Sequence, residues 1–145
     1  MQRRDLIGLT LAGVGAGVLI PQVLSAADSA KSDANPMAGS VFYTNEAQGR
    51  WSGKAATHLP QIQIDKGTEG VTVTVVTGHE IDGFEHYIVK HVLLDGNYAF
   101  LAEKMFDPSK EIQAISTFSL GEYSGTVYAL SVCNKHDTWL SSAQV

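Results

Sequence analysis

Hydrophobic residues recur with a period of two, or in short β-branched runs, along most of this chain. The runs are "QIQI" at 61 to 64, "VTVTVV" at 71 to 76, "HYIVKHVLL" at 86 to 94, "YAFLA" at 98 to 102, "AISTFSL" at 114 to 120 and "TVYALSV" at 126 to 132. Alternation turns successive side chains to opposite faces of a pleated sheet, so such runs predict strands with one face on a core. Turn formers separate them: Gly67, Gly70, Asp95-Gly96-Asn97, Asp107-Pro108 and Gly121. Asp95-Gly96 between two apolar runs predicts a hairpin. With a further early strand near Val41, about seven strands are expected, and no useful helical period interrupts them. The pattern predicts an all-β protein built as an antiparallel β-sandwich.

The first residues follow another rule. Arg3 and Arg4 precede a Gly-rich apolar run from Leu6 to Ile20, and Ser25-Ala26-Ala27 supplies small residues for a cleavage site. The run is shorter than the roughly 20 residues that cross a bilayer as a helix. Residues 1–27 therefore predict a twin-arginine signal peptide, read by the twin-arginine translocase, and a periplasmic location. That route carries proteins already folded, which suits a metal loaded before export. Residues 28–40, "DSAKSDANPMAGS", have the composition of a flexible linker, which leaves one folded domain at 41–145.

Without residues 1–27 the chain keeps 8 of its 10 basic and 14 of its 15 acidic side chains, a net charge of −6. Nucleic acid and anionic membrane are poor partners for that balance. Cys133 is the single cysteine of the 145 residues and cannot form an internal disulfide. It is buried and inert, paired with another chain, or bound to a metal.

Four of the five histidines, His58, His79, His86 and His136, lie at or beside turn signals. Pro60 imposes an extended backbone on Leu59, next to His58. His79 and His86 are separated by an odd number of positions, as are Cys133 and His136, so continuous strands would turn them to opposite faces. Asp82-Gly83 and Asn134 with Asp137 are turn formers that let each pair converge. Taken singly, a histidine or a buried cysteine is usually structural. Together, four imidazoles and a thiolate exceed a closed tetrahedral zinc site and suit a five-coordinate transition metal with one open position, for which iron is the natural occupant.

The stretches "HLP" at 58 to 60, "GHEIDGFEHYI" at 78 to 88 and "YALSVCNKHDTW" at 128 to 139 occur in the order found in one family. Over residues 54 to 140 the chain resembles the superoxide reductases, the catalytic domain of the desulfoferrodoxin and neelaredoxin family. The resemblance implies an immunoglobulin-like sandwich and a mononuclear iron centre. In it His58, His79, His86 and His136 would be equatorial ligands and Cys133 the axial thiolate. The implied reaction is the one-electron reduction of superoxide, with two protons, to hydrogen peroxide, after which an external electron donor restores ferrous iron. A homo-oligomer is the family's habit. The additional rubredoxin-like iron module needs four more cysteines, so the match is to the single-iron, neelaredoxin-like form. His91 is left as an ordinary strand histidine, and Trp139 as packing beneath the site.

Several positions depart from the family pattern. The family's Lys before the first ligand histidine, and the Glu often before it, are Thr57 and Ala56 here. Lys54 and Lys135 are the candidates to attract superoxide in that lysine's place. The loop after His79 is one residue longer than usual and begins with Glu80 instead of Pro. The Gly that usually follows the fourth histidine is Asp137, expected to face solvent or to orient His136. These departures also raise an alternative: an iron-binding electron-transfer protein that retained the centre without fast superoxide chemistry.

Overall fold

A computed structural model describes residues 35–145. The predicted signal peptide and the first part of the predicted linker lie outside the described residues. Seven strands form: β1 (Gln61–Gly67), β2 (Gly70–Glu80), β3 (Ile88–Leu94), β4 (Phe100–Met105), β5 (Gln113–Gly121), β6 (Thr126–Cys133) and β7 (Asp137–Gln144). They pair antiparallel in two sheets, β1-β2-β5 and β4-β3-β6-β7. This is the antiparallel sandwich that the alternation predicts.

The period-2 reading holds residue by residue on the central strands. Val71, Val73, Val75, Thr77 and His79 are buried on β2, and Val127, Ala129, Ser131 and Cys133 on β6, with less buried neighbours between them. The inward side chains stack in layers along the sandwich. One end is an apolar core of Val71, Val73, Val75, Leu93, Phe118, Val127, Ala129 and Val145. Fully burying each valine or larger side chain contributes about 1.5–3 kcal/mol. Toward the other end, Ile88, Phe106, Ala114 and Cys133 form a smaller cluster. A third group, Tyr43, Ala55 and Trp139, closes the sandwich beside the histidines.

The count of seven is reached differently from the expectation. Val41 lies in a turn and is 64% exposed, not on a strand. Phe42 and Tyr43 make only isolated bridges, Tyr43 docking beside β7 through its N–H to the Thr138 carbonyl (2.9 Å) and its carbonyl to the Leu140 N–H (2.8 Å). The seventh strand is instead β7. Only Trp139 is fully buried on it, so its hydrophobic alternation is weak and backbone pairing to β6 defines it. The ordered backbone also starts before Val41: Ala38 N–H donates to the Asn35 carbonyl at 2.9 Å, and Val41 N–H to that of Met37 at 2.8 Å. A 3-10 turn (Gly49–Trp51) and one short α-helix, α1 (Ala55–His58), precede β1.

Candidate metal centre

Five segments deliver the predicted ligands to one end of the sandwich. His58 ends α1, and Leu59 (φ −68°, ψ 126°) is extended before Pro60, as expected, so the chain leaves the helix at once. His79 is the penultimate residue of β2, on a strand and not in a turn. The register of β2 against β5 is irregular between Thr77 and Glu80, which adjusts its aim. His86 closes the loop whose Asp82 N–H donates to the His86 carbonyl at 2.9 Å. Cys133 ends β6, and His136 stands in the turn to β7.

Asn134 clasps two of these segments together. Its Oδ1 accepts from the Tyr87 N–H (3.0 Å) and its Nδ2 donates to the carbonyls of Phe84 (3.3 Å) and Glu85 (3.1 Å). Its side chain therefore ties the loop bearing His86 to the turn bearing His136. Beneath the site Trp139, fully buried, donates Nε1–H to the His136 carbonyl at 2.9 Å, and its ring lies 5.8 Å from that of His58.

One ligand atom from each of His58, His79, His86, His136 and Cys133 lies within 4.8 Å of all the others. His58 Nε2 is 2.9 Å from His136 Nδ1, which is 3.0 Å from His86 Nε2, itself 3.0 Å from His79 Nε2. Cys133 Sγ is 3.6 Å from His136 Nδ1. Donors about 2.1 Å from one ion and at right angles around it stand about 3.0 Å apart, the spacing seen here.

Hydrogen bonds between neutral imidazoles cannot account for all of these contacts. His58 Nδ1–H is directed at the Lys54 carbonyl (3.1 Å) and at Thr57 Oγ1 (2.8 Å), and His79 Nδ1–H at the Glu80 carbonyl. Each ring's Nε2 is then a bare lone pair. Along the series His58, His136, His86, His79, alternating donor and acceptor would require one end to donate. With all four rings neutral, every assignment therefore leaves two lone pairs, or two hydrogens, face to face. A cation shared by the four nitrogens removes the conflict, and the carbonyl partners of His58 and His79 are the kind that fix a ligand tautomer.

The electrostatics agree. Burial, then the neighbouring His79, lowers the pKa of His58 from 6.5 to about 4. Burial is also the main cause lowering His79, His86 and His136. Neutral imidazoles are the form that binds metal. Lys54 pushes down His79, His86 and His136, and Lys135 pushes down His86 and His136, so both ammonium groups act on the centre. Lys54 precedes α1, while Lys135 is exposed in the turn beside His136.

His58, His79 and Cys133 are buried, while His86 and His136 are half-buried. A cavity of about 480 Å³ opens beside them, bordered by Thr57, His79, Glu80, Asp82 and His86. Asp137 turns from the donors: its carboxylate accepts from Trp51 Nε1 (2.8 Å) and pairs with Arg50. Those bonds, Arg50 first, lower its pKa. Trp51 meets the His136 ring edge-on at 4.7 Å, so Asp137 acts on His136 through Trp51. Asp137 has φ 60°, the left-handed region that glycine enters most readily. The motifs do not reveal Arg50, Trp51 or the clasp of Asn134. His91 lies outside the donor group, fully buried between the sheets.

An antiparallel sandwich with four imidazoles and a thiolate converging at one end defines a class, the β-sandwich metalloproteins with a His4Cys donor set. Residues 50–142 match the Desulfoferrodoxin family, and the chain belongs to it. A superoxide reductase of Pyrococcus abyssi is 32% identical over 109 residues, covering 67% of this chain and 92% of that protein. The superoxide reductase of Thermococcus kodakarensis is 34% identical over 103 residues, covering 63% and 87%. Among solved structures, the superoxide reductase (neelaredoxin) of Ignicoccus hospitalis superposes with a TM-score of 0.60 at 27% identity, over 74% of this chain and 95% of that one. Membership bears out the expected oxidoreductase class and, with the His/Cys donor group, the expected iron cofactor.

Proposed function

We propose that this chain is a periplasmic superoxide reductase, exported by the twin-arginine route, that converts superoxide to hydrogen peroxide at one mononuclear His4Cys iron centre. The observation that carries the reading is the set of nitrogen contacts at 2.9–3.0 Å that hydrogen bonds between neutral imidazoles cannot satisfy. His58, His79, His86, His136 and Cys133 would hold the ion. Bound iron supplies the single electron that, with two protons, turns superoxide into peroxide, and an external donor returns it.

The chain's own residues do the rest. His58 and His79 are held in the required tautomer by the Lys54 and Glu80 carbonyls. Neutral imidazoles leave the ion's positive charge for the anion, and the Cys133 thiolate donates electron density to it. Lys54 and Lys135 draw superoxide toward the site, in place of the lysine that Thr57 replaces.

A second reading, an electron-transfer protein with slow superoxide chemistry, is favoured by Thr57 and by the exposed carboxylates Glu80 and Asp82 at the cavity. One experiment separates the two. The iron-loaded protein should show a thiolate-to-ferric charge-transfer band, absent in Cys133→Ala, that responds to a superoxide pulse. A band that ignores superoxide selects the second reading; no band, or one unchanged in Cys133→Ala, removes the centre. Fractionation of cells carrying Arg3→Lys with Arg4→Lys tests the export route, which predicts loss of periplasmic protein.

A further inference from the structure

Below the ligands the sandwich holds a second polar cluster that takes no part in the donor set. Thr77 of β2, His91 of β3, Ser116 of β5 and Ser131 of β6 are 0–2% exposed. His91 Nε2 lies 2.9 Å from Thr77 Oγ1, which lies 2.9 Å from Ser131 Oγ, and His91 Nδ1 lies 2.7 Å from Ser116 Oγ. One assignment of hydrogens satisfies this chain of contacts: His91 Nε2–H donates to Thr77, the Thr77 O–H to Ser131, and the Ser116 O–H to His91 Nδ1. All three bonds cross from the β1-β2-β5 sheet to the β4-β3-β6-β7 sheet.

The cluster's place matters more than its satisfaction. Thr77 shares the inward face of β2 with His79, two positions on, and Ser131 shares that of β6 with Cys133. These two ligands hang from different sheets, as do the close pairs His58–His136 and His79–His86, because His58 leads into β1. The spacing of the donors therefore depends on how the two sheets slide past each other. Apolar packing is non-directional, and an apolar layer is often at least as stable as a buried polar one. Directional bonds select one arrangement where packing tolerates several.

We infer that the Thr77–His91–Ser116–Ser131 cluster is a positioning lock between the sheets, setting where His79 stands relative to Cys133 and so tuning the metal centre. The lock rests on the metal-centre reading above.

The test uses the iron-loaded full chain as wild type, Thr77→Val, His91→Leu and Val73→Ala, the last placed in the apolar layer farther along β2. Three quantities are read: the position of the charge-transfer band, the reduction potential, and the rate of iron release to a chelator. Thr77→Val and His91→Leu should shift the band and the potential and speed release roughly tenfold, the lower end of what removing a ligand's support costs. Val73→Ala should lower Tm yet leave all three readings at wild-type values. Thr77→Val keeps the side chain's shape and carries the test should the leucine variant fail to fold. Unshifted readings in folded lock variants, or equal shifts in Val73→Ala, overturn the lock alone. A wild-type protein without the band overturns the metal-centre reading and the lock with it.

Discussion

Acid should weaken this fold through His91. The imidazole is fully buried between the sheets. Desolvation, and then the Lys104 ammonium, pushes its pKa from 6.5 down to about 4. Unfolding returns the group to water and to its ordinary pKa of about 6.5, so in the interval between these values the unfolded chain binds a proton that the folded chain excludes. The contribution to stability is complete above pH 6.5 and is lost as the pH falls toward 4. From pH 7 to pH 5 the loss is about 2 kcal/mol from this residue, and by pH 4 about 3 kcal/mol. Urea unfolding of the iron-loaded wild type and of His91→Leu, at pH 7, 6 and 5, isolates the effect. The surface carboxylates are common to both proteins and cancel in the difference, and with excess iron keeping both centres filled any change in iron affinity adds an offset that is the same at each pH. At pH 7 the wild type should be the more stable, because the variant strands the Ser116 hydroxyl. The gap should then narrow by about 2 kcal/mol at pH 5. A gap constant to within about 0.5 kcal/mol across this range would refute the reasoning.

Thr57→Lys should speed superoxide consumption roughly tenfold at low ionic strength, measured by pulse radiolysis or stopped flow, with the gain shrinking as salt is added. Lys54→Gln should slow the same step a few-fold and flatten its salt dependence, because Lys54 is the ammonium that acts on three of the four imidazoles. Asp137→Gly keeps a backbone suited to φ 60° but frees Trp51, so denaturant titration should show a loss of about 1 kcal/mol together with altered tryptophan fluorescence. Trp139→Phe removes the buried bond to the His136 carbonyl and should cost about 1–3 kcal/mol in the same assay, with faster iron release.

What the sequence reveals of the fold tracks where hydrophobic alternation is strong. On β2 and β6 every second side chain is buried, and on β5 Ala114, Ser116 and Phe118 are, so the strands are legible from "VTVTVV", "AISTFSL" and "TVYALSV". β7 buries one residue fully, and the aromatic pair near Val41 looks like a strand although only isolated bridges form there. The five donors are legible because each sits in a short local motif. Their support is less so. The Trp51–Asp137 bond spans 86 positions and the Asn134 clasp about 50, and no local pattern records contacts that the fold alone brings about.

The same separation bears on how the centre is made. The donors come from five segments between His58 and His136, and the close pairs His58–His136 and His79–His86 each join the two sheets. Only Cys133 and His136 meet within one local turn, while His79 needs the end of β2 and His86 needs the Asn134 clasp. An unfolded chain thus presents no five-donor site, and metal affinity becomes part of folding free energy. Under that coupling, export as an unfolded thread would have to discard the ion and find it again outside, whereas the folded-protein route proposed from Arg3 and Arg4 keeps ion and fold together. Iron content of the periplasmic protein should therefore be insensitive to a chelator that does not enter the cytoplasm when it is added during synthesis. Loss of iron under those conditions would mean that the centre is filled after export.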